Sequence, residues 1–175
     1  MVIETERLIL REMVQSDFPL LCKCLQDPDV MLLAFGHVFS DKEVQDNLDK
    51  QIWRYENHGF GVWSVILKET GELIGQCGLS MQPYNDREVP EIGYVFQKEH
   101  WHKGYAIEAA AACKEYAFTV QNIDEVFSII RDTNIASQNV AKRNGMTIKD
   151  KTDIHIVHAN GVEMKHNLWS AKRDE

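Results

Sequence analysis

Residues 100–108 read His-Trp-His-Lys-Gly-Tyr-Ala-Ile-Glu and join a predicted strand to a predicted helix. Residues 89–97 alternate in period two, which indicates the strand, and small apolar residues at helical spacing predict the helix over residues 104–120. Free N–H groups at a helix start carry partial positive charge, so this junction predicts an anion site. Gly104 would permit close approach and Lys103 adds a full charge. The alternative is an ordinary connection, because one glycine is a weak signal.

The composition predicts one domain over residues 1–175. Of the 175 residues, 44% are hydrophobic and 26% are charged, which is normal for a globular domain. The net charge is −8 without a basic run, which argues against nucleic acid or an anionic membrane as partner and mildly favours a cationic acceptor. A negative surface also serves solubility alone. No apolar run approaches the roughly 20 residues of a membrane span, and the first residues do not resemble a signal peptide. We therefore expect a cytoplasmic protein.

The four cysteines predict neither a disulfide framework nor a metal site. They lie inside predicted helices and strands rather than at paired ligand spacings, at Cys22, Cys24, Cys77 and Cys113. We expect them to be reduced core residues, and we expect no bound metal.

The order of elements predicts the fold class. Strands are predicted at residues 7–11, 60–67, 72–80, 89–97, 126–130, 149–157 and 163–169. Besides the helix over residues 104–120, helices are predicted after Asp17, after a capping box at residues 40–43, and from Asn134 to Gly145. Residues 31–39 are apolar without a period, and residues 82–88 are predicted to form a polar loop. We expect an α/β (α+β) fold with a mixed, mostly antiparallel sheet of about seven strands and helices on both faces.

Asn160-Gly161 is a strong signal for a hairpin between the last two strands. A two-residue loop there would place His155 directly opposite His166 on one sheet face. The two imidazoles would then line a pocket or sit at the sheet edge. A metal site would need further ligands, which the sequence does not offer nearby.

Two motifs make the chain resemble the GNAT, or Gcn5-related, N-acetyltransferases, and in particular the branch that acetylates ribosomal-protein N-termini. The first runs from residues 91–94 into residues 101–106, and the second runs from Asn134 through Ser137 to Gly145. The resemblance extends from residue 5 to the hairpin signal. It implies the GNAT fold and transfer of an acetyl group from acetyl-CoA to a primary amine, by direct attack in a ternary complex. The amine would be a protein N-terminus or a small molecule.

The resemblance also implies a set of acetyl-CoA contacts. By position, backbone N–H groups at His102, Lys103, Gly104, Tyr105 and Ala106 would grip the pyrophosphate. A strand splayed from its parallel neighbour would expose Val95, Phe96 and Gln97 to pantetheine, and Asn134, Ser137 and Asn139 would complete the site. Asn134 and Ser137 could equally be helix caps. Two positions depart from the family pattern, because Trp101 replaces the usual Gln or Arg and Ala141 replaces a tyrosine that protonates the thiolate.

The chemistry implied by the resemblance needs a neutral amine and a leaving thiolate. Glu91 is the candidate base, because it matches a glutamate of this branch and adjoins apolar residues that could raise its pKa towards neutrality. The Phe96 N–H would stabilise the oxyanion, and Ser137 is the nearest candidate acid. Glu91 could instead be a solvated strand residue. Loss of the tyrosine leaves open a catalytically silent acyl-CoA-binding sensor or interaction module.

The acceptor pocket is expected over the reactive end of the cofactor. Its candidate residues are Phe35, His37, Tyr84, Glu88, His155 and His166. Asp86 and Glu88 would receive a cationic acceptor, whereas any of the aromatic residues could simply pack in the core. The acceptor itself and the choice between monomer and homodimer are left open.

Overall fold

One sheet is built from two antiparallel parts that meet at a parallel pair of strands. The computed structural model describes residues 2–84, 86–157 and 163–173. Its strands are β1 (Val2–Glu4), β2 (Leu8–Arg11), β3 (Val62–Leu67), β4 (Leu73–Tyr84), β5 (Arg87–Phe96), β6 (Glu125–Arg131), β7 (Thr147–Val157) and β8 (Glu163–Lys172). Their order is β1-β2-β3-β4-β5-β6-β8-β7, and neighbours are antiparallel except β5 and β6. The predicted mixed sheet is confirmed, with eight strands and an unpredicted β1.

Helices cover both faces of this sheet. They are α1 (Phe18–Leu25), α2 (Pro28–Ala34), α3 (Asp41–His58), α4 (Tyr105–Thr119) and α5 (Ile135–Arg143). One hydrophobic cluster joins Ala109 of α4 and Ala141 of α5 to Trp63 of the sheet. A second cluster joins α1, α2 and α3 to the sheet through Leu73 and Val95. No helix in the described ranges is long and apolar enough to cross a membrane.

Short-range signals account for where several helices begin and end. The predicted capping box starts α3, because the Glu43 N–H donates to Ser40 Oγ at 3.3 Å and the Ser40 N–H donates to Glu43 Oε2 at 2.8 Å. The helix ends at Gly59, whose φ of 76° is left-handed. Asp27 caps α2 by accepting the Asp29 N–H at 2.8 Å, and this cap was not predicted.

The predicted polar loop at residues 82–88 is wrong. β4 continues to Tyr84 and pairs with β5 as far as Tyr84 opposite Arg87. Antiparallel pairing uses backbone groups, so polar side chains facing solvent do not interrupt it. Tyr84 points inward and belongs with Val89 to a small buried cluster.

The predicted register of the last hairpin is wrong by one residue. β7 and β8 pair Val157 with Glu163, so His155 lies opposite Lys165 and His166 lies opposite Ile154. Residues 158–162, which carry the predicted Asn-Gly turn, lie outside the described residues. Five residues lie between the paired Val157 and Glu163, which is an odd number. Strands joined by a two-residue turn pair residues that have an even number of residues between them. The two histidines are therefore not a cross-strand pair.

β5 and β6 pair in parallel at one register position, Glu91 opposite Phe127. Next to it, the Ser128 hydroxyl donates to the Ile92 carbonyl at 2.8 Å. Further along β5, the residues up to Phe96 line a cavity rather than pairing with β6. The sheet thus opens at the strand that leads into the start of α4.

Candidate active site

The stretch that precedes α4 has the backbone conformation of an anion site. His102 and Gly104 both adopt left-handed conformations, with φ of 60° and 82°, and α4 begins immediately afterwards at Tyr105. Such alternation before a helix directs successive N–H groups into one concavity. Glycine suits position 104, because any other residue is strained at this φ.

Arg7 supports this loop from the side. Its Nη1 donates to the Lys103 carbonyl at 2.9 Å, and its guanidinium carbon lies 4.6 Å from the centre of the Tyr105 ring. Glu108, in the first turn of α4, accepts the Arg7 N–H at 2.8 Å, the Arg7 Nε at 2.7 Å and the Thr5 hydroxyl at 2.6 Å. Burial tends to raise the pKa of Glu108, but these hydrogen bonds outweigh it and lower the pKa. The sequence did not predict that Arg7 and Glu108 support the loop, because the two residues are about 100 positions apart.

A cavity of about 430 Å³, the first cleft, opens beside this loop. Its lining includes most of the residues predicted to bind the cofactor: Val95, Phe96, His102, Gly104, Tyr105, Ala106, Asn134, Ser137 and Asn139. Gln97 and Lys103 are not part of the lining. Gln97 is buried and its side chain donates to the Leu73 carbonyl at 2.7 Å, while Lys103 is exposed.

A second cavity of about 420 Å³, the second cleft, lies on the side of β5 that faces α3. The two clefts share lining residues, namely Ala34, Tyr94, Val95, Asn134 and Ser137. They therefore meet at the open end of β5. Two molecules that entered from opposite sides would come together there.

Glu91 lies half-buried in the second cleft. Burial raises the pKa of its carboxyl group from 4.5 to about 7, although the Ile129 N–H, the Arg54 charge and the Gln82 amide each oppose the rise. The Ile129 N–H donates to Glu91 Oε1 at 3.2 Å. A carboxyl group with this pKa can exchange a proton near neutral pH.

Two hydroxyl groups lie at the junction of the clefts. Tyr94 donates from its hydroxyl to the Ser137 carbonyl at 3.2 Å, and burial raises the pKa of this phenol. Asn134 Oδ1 accepts the Ser137 N–H at 3.1 Å, so Asn134 both caps α5 and lines the two clefts. Tyr94 was not predicted as a candidate acid. Its only signal was its place two residues before Phe96 on the same strand face.

The candidate acceptor residues are not all brought together. Phe35 and His166 line the second cleft. Tyr84 is 6% exposed in the small cluster described above, and Glu88 is exposed and outside the lining. His37 is also outside it, with Nε2 3.1 Å from Glu43 Oε1. The side chain of His155 lies outside the described part of the structure.

The sheet, the helix start and the paired clefts are those of an acetyltransferase. The chain matches the acetyltransferase (GNAT) domain family over residues 7–147, and it belongs to this family. The predicted family is confirmed, and the protein is an acetyltransferase enzyme.

Relatives cover most of this chain. It is 38% identical to the uncharacterized protein YkkB of Bacillus subtilis over 81% of this chain and 83% of YkkB. The crystal structure of a GNAT-family acetyltransferase from Bacillus anthracis aligns over 100% of both chains, with 26% identity and a TM-score of 0.83. RimL, a ribosomal L7/L12 alpha-N-protein acetyltransferase solved in complex with coenzyme A, shares the fold with a TM-score of 0.81 over 99% of both chains, at 20% identity.

Proposed function

We propose that the protein transfers the acetyl group of acetyl-CoA to a primary amine by direct attack in a ternary complex. The observation that carries this proposal is the meeting of the two clefts at Tyr94, Val95 and Ser137, with Glu91 on the side of the second cleft. Each cleft would admit one substrate. The acceptor would be a protein N-terminus or a small amine, in line with RimL, an alpha-N-protein acetyltransferase whose fold this chain shares.

The first cleft fits the donor. Left-handed backbone at His102 and Gly104 directs N–H groups towards the space where the pyrophosphate would bind. Between β5 and β6 the sheet is open, so backbone groups near Val95 and Phe96 are available to the pantetheine arm. When bound, acetyl-CoA would supply the activated acyl group, and the Phe96 N–H would stabilise negative charge on its carbonyl oxygen.

Glu91 would act as the general base. An alkyl ammonium group cannot attack a thioester until it loses a proton, and a carboxylate with a pKa of about 7 accepts one near neutral pH. The proton would pass from the amine nitrogen to a Glu91 oxygen, directly or through one water. Ser137 remains the proposed acid for the departing thiolate, and the Tyr94 hydroxyl beside it is a second donor.

Thiol release tests the proposal. The protein would be mixed with acetyl-CoA and a panel of alanine- and serine-starting peptides, polyamines and aminoglycosides, and coenzyme A release would be followed together with the mass of each amine. We expect release that depends on at least one amine and a mass gain of one acetyl group on that amine. Binding of acetyl-CoA without release for any amine would refute the proposed function.

The acid can be assigned with single substitutions. If Ser137 protonates the thiolate, Ser137→Ala lowers turnover by about tenfold or more, and Tyr94→Phe has a smaller effect. The reverse order would assign the role to Tyr94. Affinity for acetyl-CoA, measured by calorimetry, separates loss of chemistry from loss of binding.

A further inference from the structure

The second cleft is lined by more positive than negative side chains. Lys50 and Arg54 of α3 and Arg131 at the end of β6 line it, whereas Glu91 is the one carboxylate among the described lining residues. This local excess contrasts with the net charge of −8 of the whole chain. It also contrasts with the cationic acceptor that the net charge favoured.

Arg54 is buried, and the described residues use only a small part of its hydrogen-bonding capacity. The residue is 7% exposed, and its Nη1 donates to Gln51 Oε1 at 3.3 Å. A guanidinium group has five N–H donors, and leaving such donors unsatisfied in a buried place is costly. Glu91 attracts Arg54 but makes no ion pair with it. Arg54 lines the second cleft, so a ligand bound there could satisfy its remaining donors.

The polar surface around Arg54 is held rigidly. Gln51 Oε1 also accepts the Val62 N–H at 3.0 Å, and the Gln51 amide donates to Asn47 Oδ1 at 3.2 Å. These hydrogen bonds hold the face of α3 that carries Asn47 and Gln51 against β3. Lys50 stands one turn before Arg54 on the same face and has no carboxylate partner among the described residues. Burial lowers the pKa of both cations, and the Arg54 charge lowers the pKa of Lys50 further.

We infer that the acceptor amine carries a carboxylate, which Arg54 and Lys50 bind while Glu91 receives the ammonium group. This inference rests on the proposed function and names the substrate class of the same cleft. A molecule with an amine and a carboxylate matches the arrangement of one anion and two cations, because each charge then meets its opposite. The carboxylate can belong to a free amino acid or to an acidic side chain near a peptide N-terminus.

Matched acceptor pairs test the inference and distinguish these two sources. The first pair is serine and serinamide. The second pair is two C-terminally amidated peptides that begin Ser-Glu and Ser-Gln, so that only the glutamate carries a carboxylate. We expect kcat/KM for the carboxylate member to exceed that of its neutral partner by about tenfold or more in at least one pair.

Variants on α3 locate the binding group. Lys50→Gln should raise KM for the carboxylate acceptor several-fold with little change for its neutral partner. Arg54→Gln should raise that KM by more and, because the Arg54 charge lowers the pKa of Glu91, should also change the rate for the neutral partner. Lys42→Gln is the matched control, because Lys42 is an exposed lysine on the same helix, paired with Asp46 and outside the cleft. Lys50 is exposed, so its variant is expected to fold even where the Arg54 variant does not.

The outcomes distinguish a failure of the carboxylate inference from a failure of the acetyltransfer proposal. Equal rates within both pairs, or equal losses for charged and neutral acceptors in Lys50→Gln, would overturn the carboxylate inference and leave the acetyltransfer proposal standing. Absence of acetylation for every amine would overturn both. A preference confined to the serine pair would identify a free amino acid, and a preference confined to the peptide pair would identify an acidic N-terminus.

Discussion

Glu91→Gln should make the protein more stable and less active at the same time. Glutamine resembles the protonated carboxyl group in shape and can still accept the Ile129 N–H. It removes the negative charge that burial disfavours. It also removes the proposed base, so turnover should fall by about 10²-fold or more while acetyl-CoA affinity stays near that of the parent protein.

The size of the stability gain follows from the pKa. The folded-state pKa of Glu91 is raised from 4.5 to about 7, so the unfolded chain loses this proton at lower pH than the folded protein. The contribution of Glu91 to stability is therefore most favourable below pH 4.5, becomes less favourable as the pH rises towards 7, and levels off above it. The full difference corresponds to about 3 kcal/mol. Because Glu91 keeps some solvent access, we expect Glu91→Gln to gain about 2 kcal/mol at high pH.

Urea unfolding at about pH 5 and about pH 8 measures this gain. We expect a small gain at the lower pH and most of it at the higher pH. Glu56→Gln is the matched control, since Glu56 is an exposed carboxylate on α3, and it should change stability little at either pH. A gain that does not depend on pH, or no gain, would show that Glu91 is not a desolvated carboxylate. Unchanged turnover at neutral pH would refute its role as base.

Four further substitutions test the first cleft and the core. Lys103→Ala should weaken acetyl-CoA binding only modestly, whereas Gly104→Val should nearly abolish it, because position 104 has a φ of 82°; equal losses in calorimetry would contradict the backbone mechanism. Asp17→Ala should cost about 3 kcal/mol in urea unfolding, because it leaves the partly buried Arg11 without the carboxylate that accepts two of its N–H groups; a loss below about 1 kcal/mol would contradict this. Asn134→Ala should cost about 1 kcal/mol through the lost cap and should also weaken acetyl-CoA binding; a change in stability alone would restrict Asn134 to capping.

The parts of the fold that sequence reasoning predicted well are those set by neighbouring residues. The capping box at Ser40 and the helix after Gly104 both depend on side chains within one or two turns. The start of α4 has the same local origin, because one contiguous stretch supplies the left-handed residues that precede it. Such features can be recognised without knowledge of which segments pack together.

The parts that were missed depend on pairing between distant segments. Residues 82–88 look like a loop because they are polar, but β4 continues to Tyr84 and β5 begins at Arg87, and the two strands pair up to these residues. In the last hairpin, the turn signal at residues 160–161 was sufficient to predict two strands but not their register. A change of one residue in loop length exchanges the faces of a whole strand. Tyr84, in the predicted loop at residues 82–88, shows the effect of missing the β4–β5 pairing, because it is a buried strand residue.

The second cleft was the hardest part of the candidate site to predict, because no single segment forms it. Its charges come from α3, β5 and β6, and Arg54 was hidden in a helix whose polar residues all suggested solvent exposure. Net charge does not describe the charges inside this cleft for the same reason. Exposed carboxylates set the value of −8, but they are screened by salt beyond about 8 to 10 Å. A ligand inside the cleft instead meets the few charges with low exposure, whose interactions are screened much less. The selectivity of this enzyme should therefore follow Arg54 and Glu91 rather than the sign of its surface.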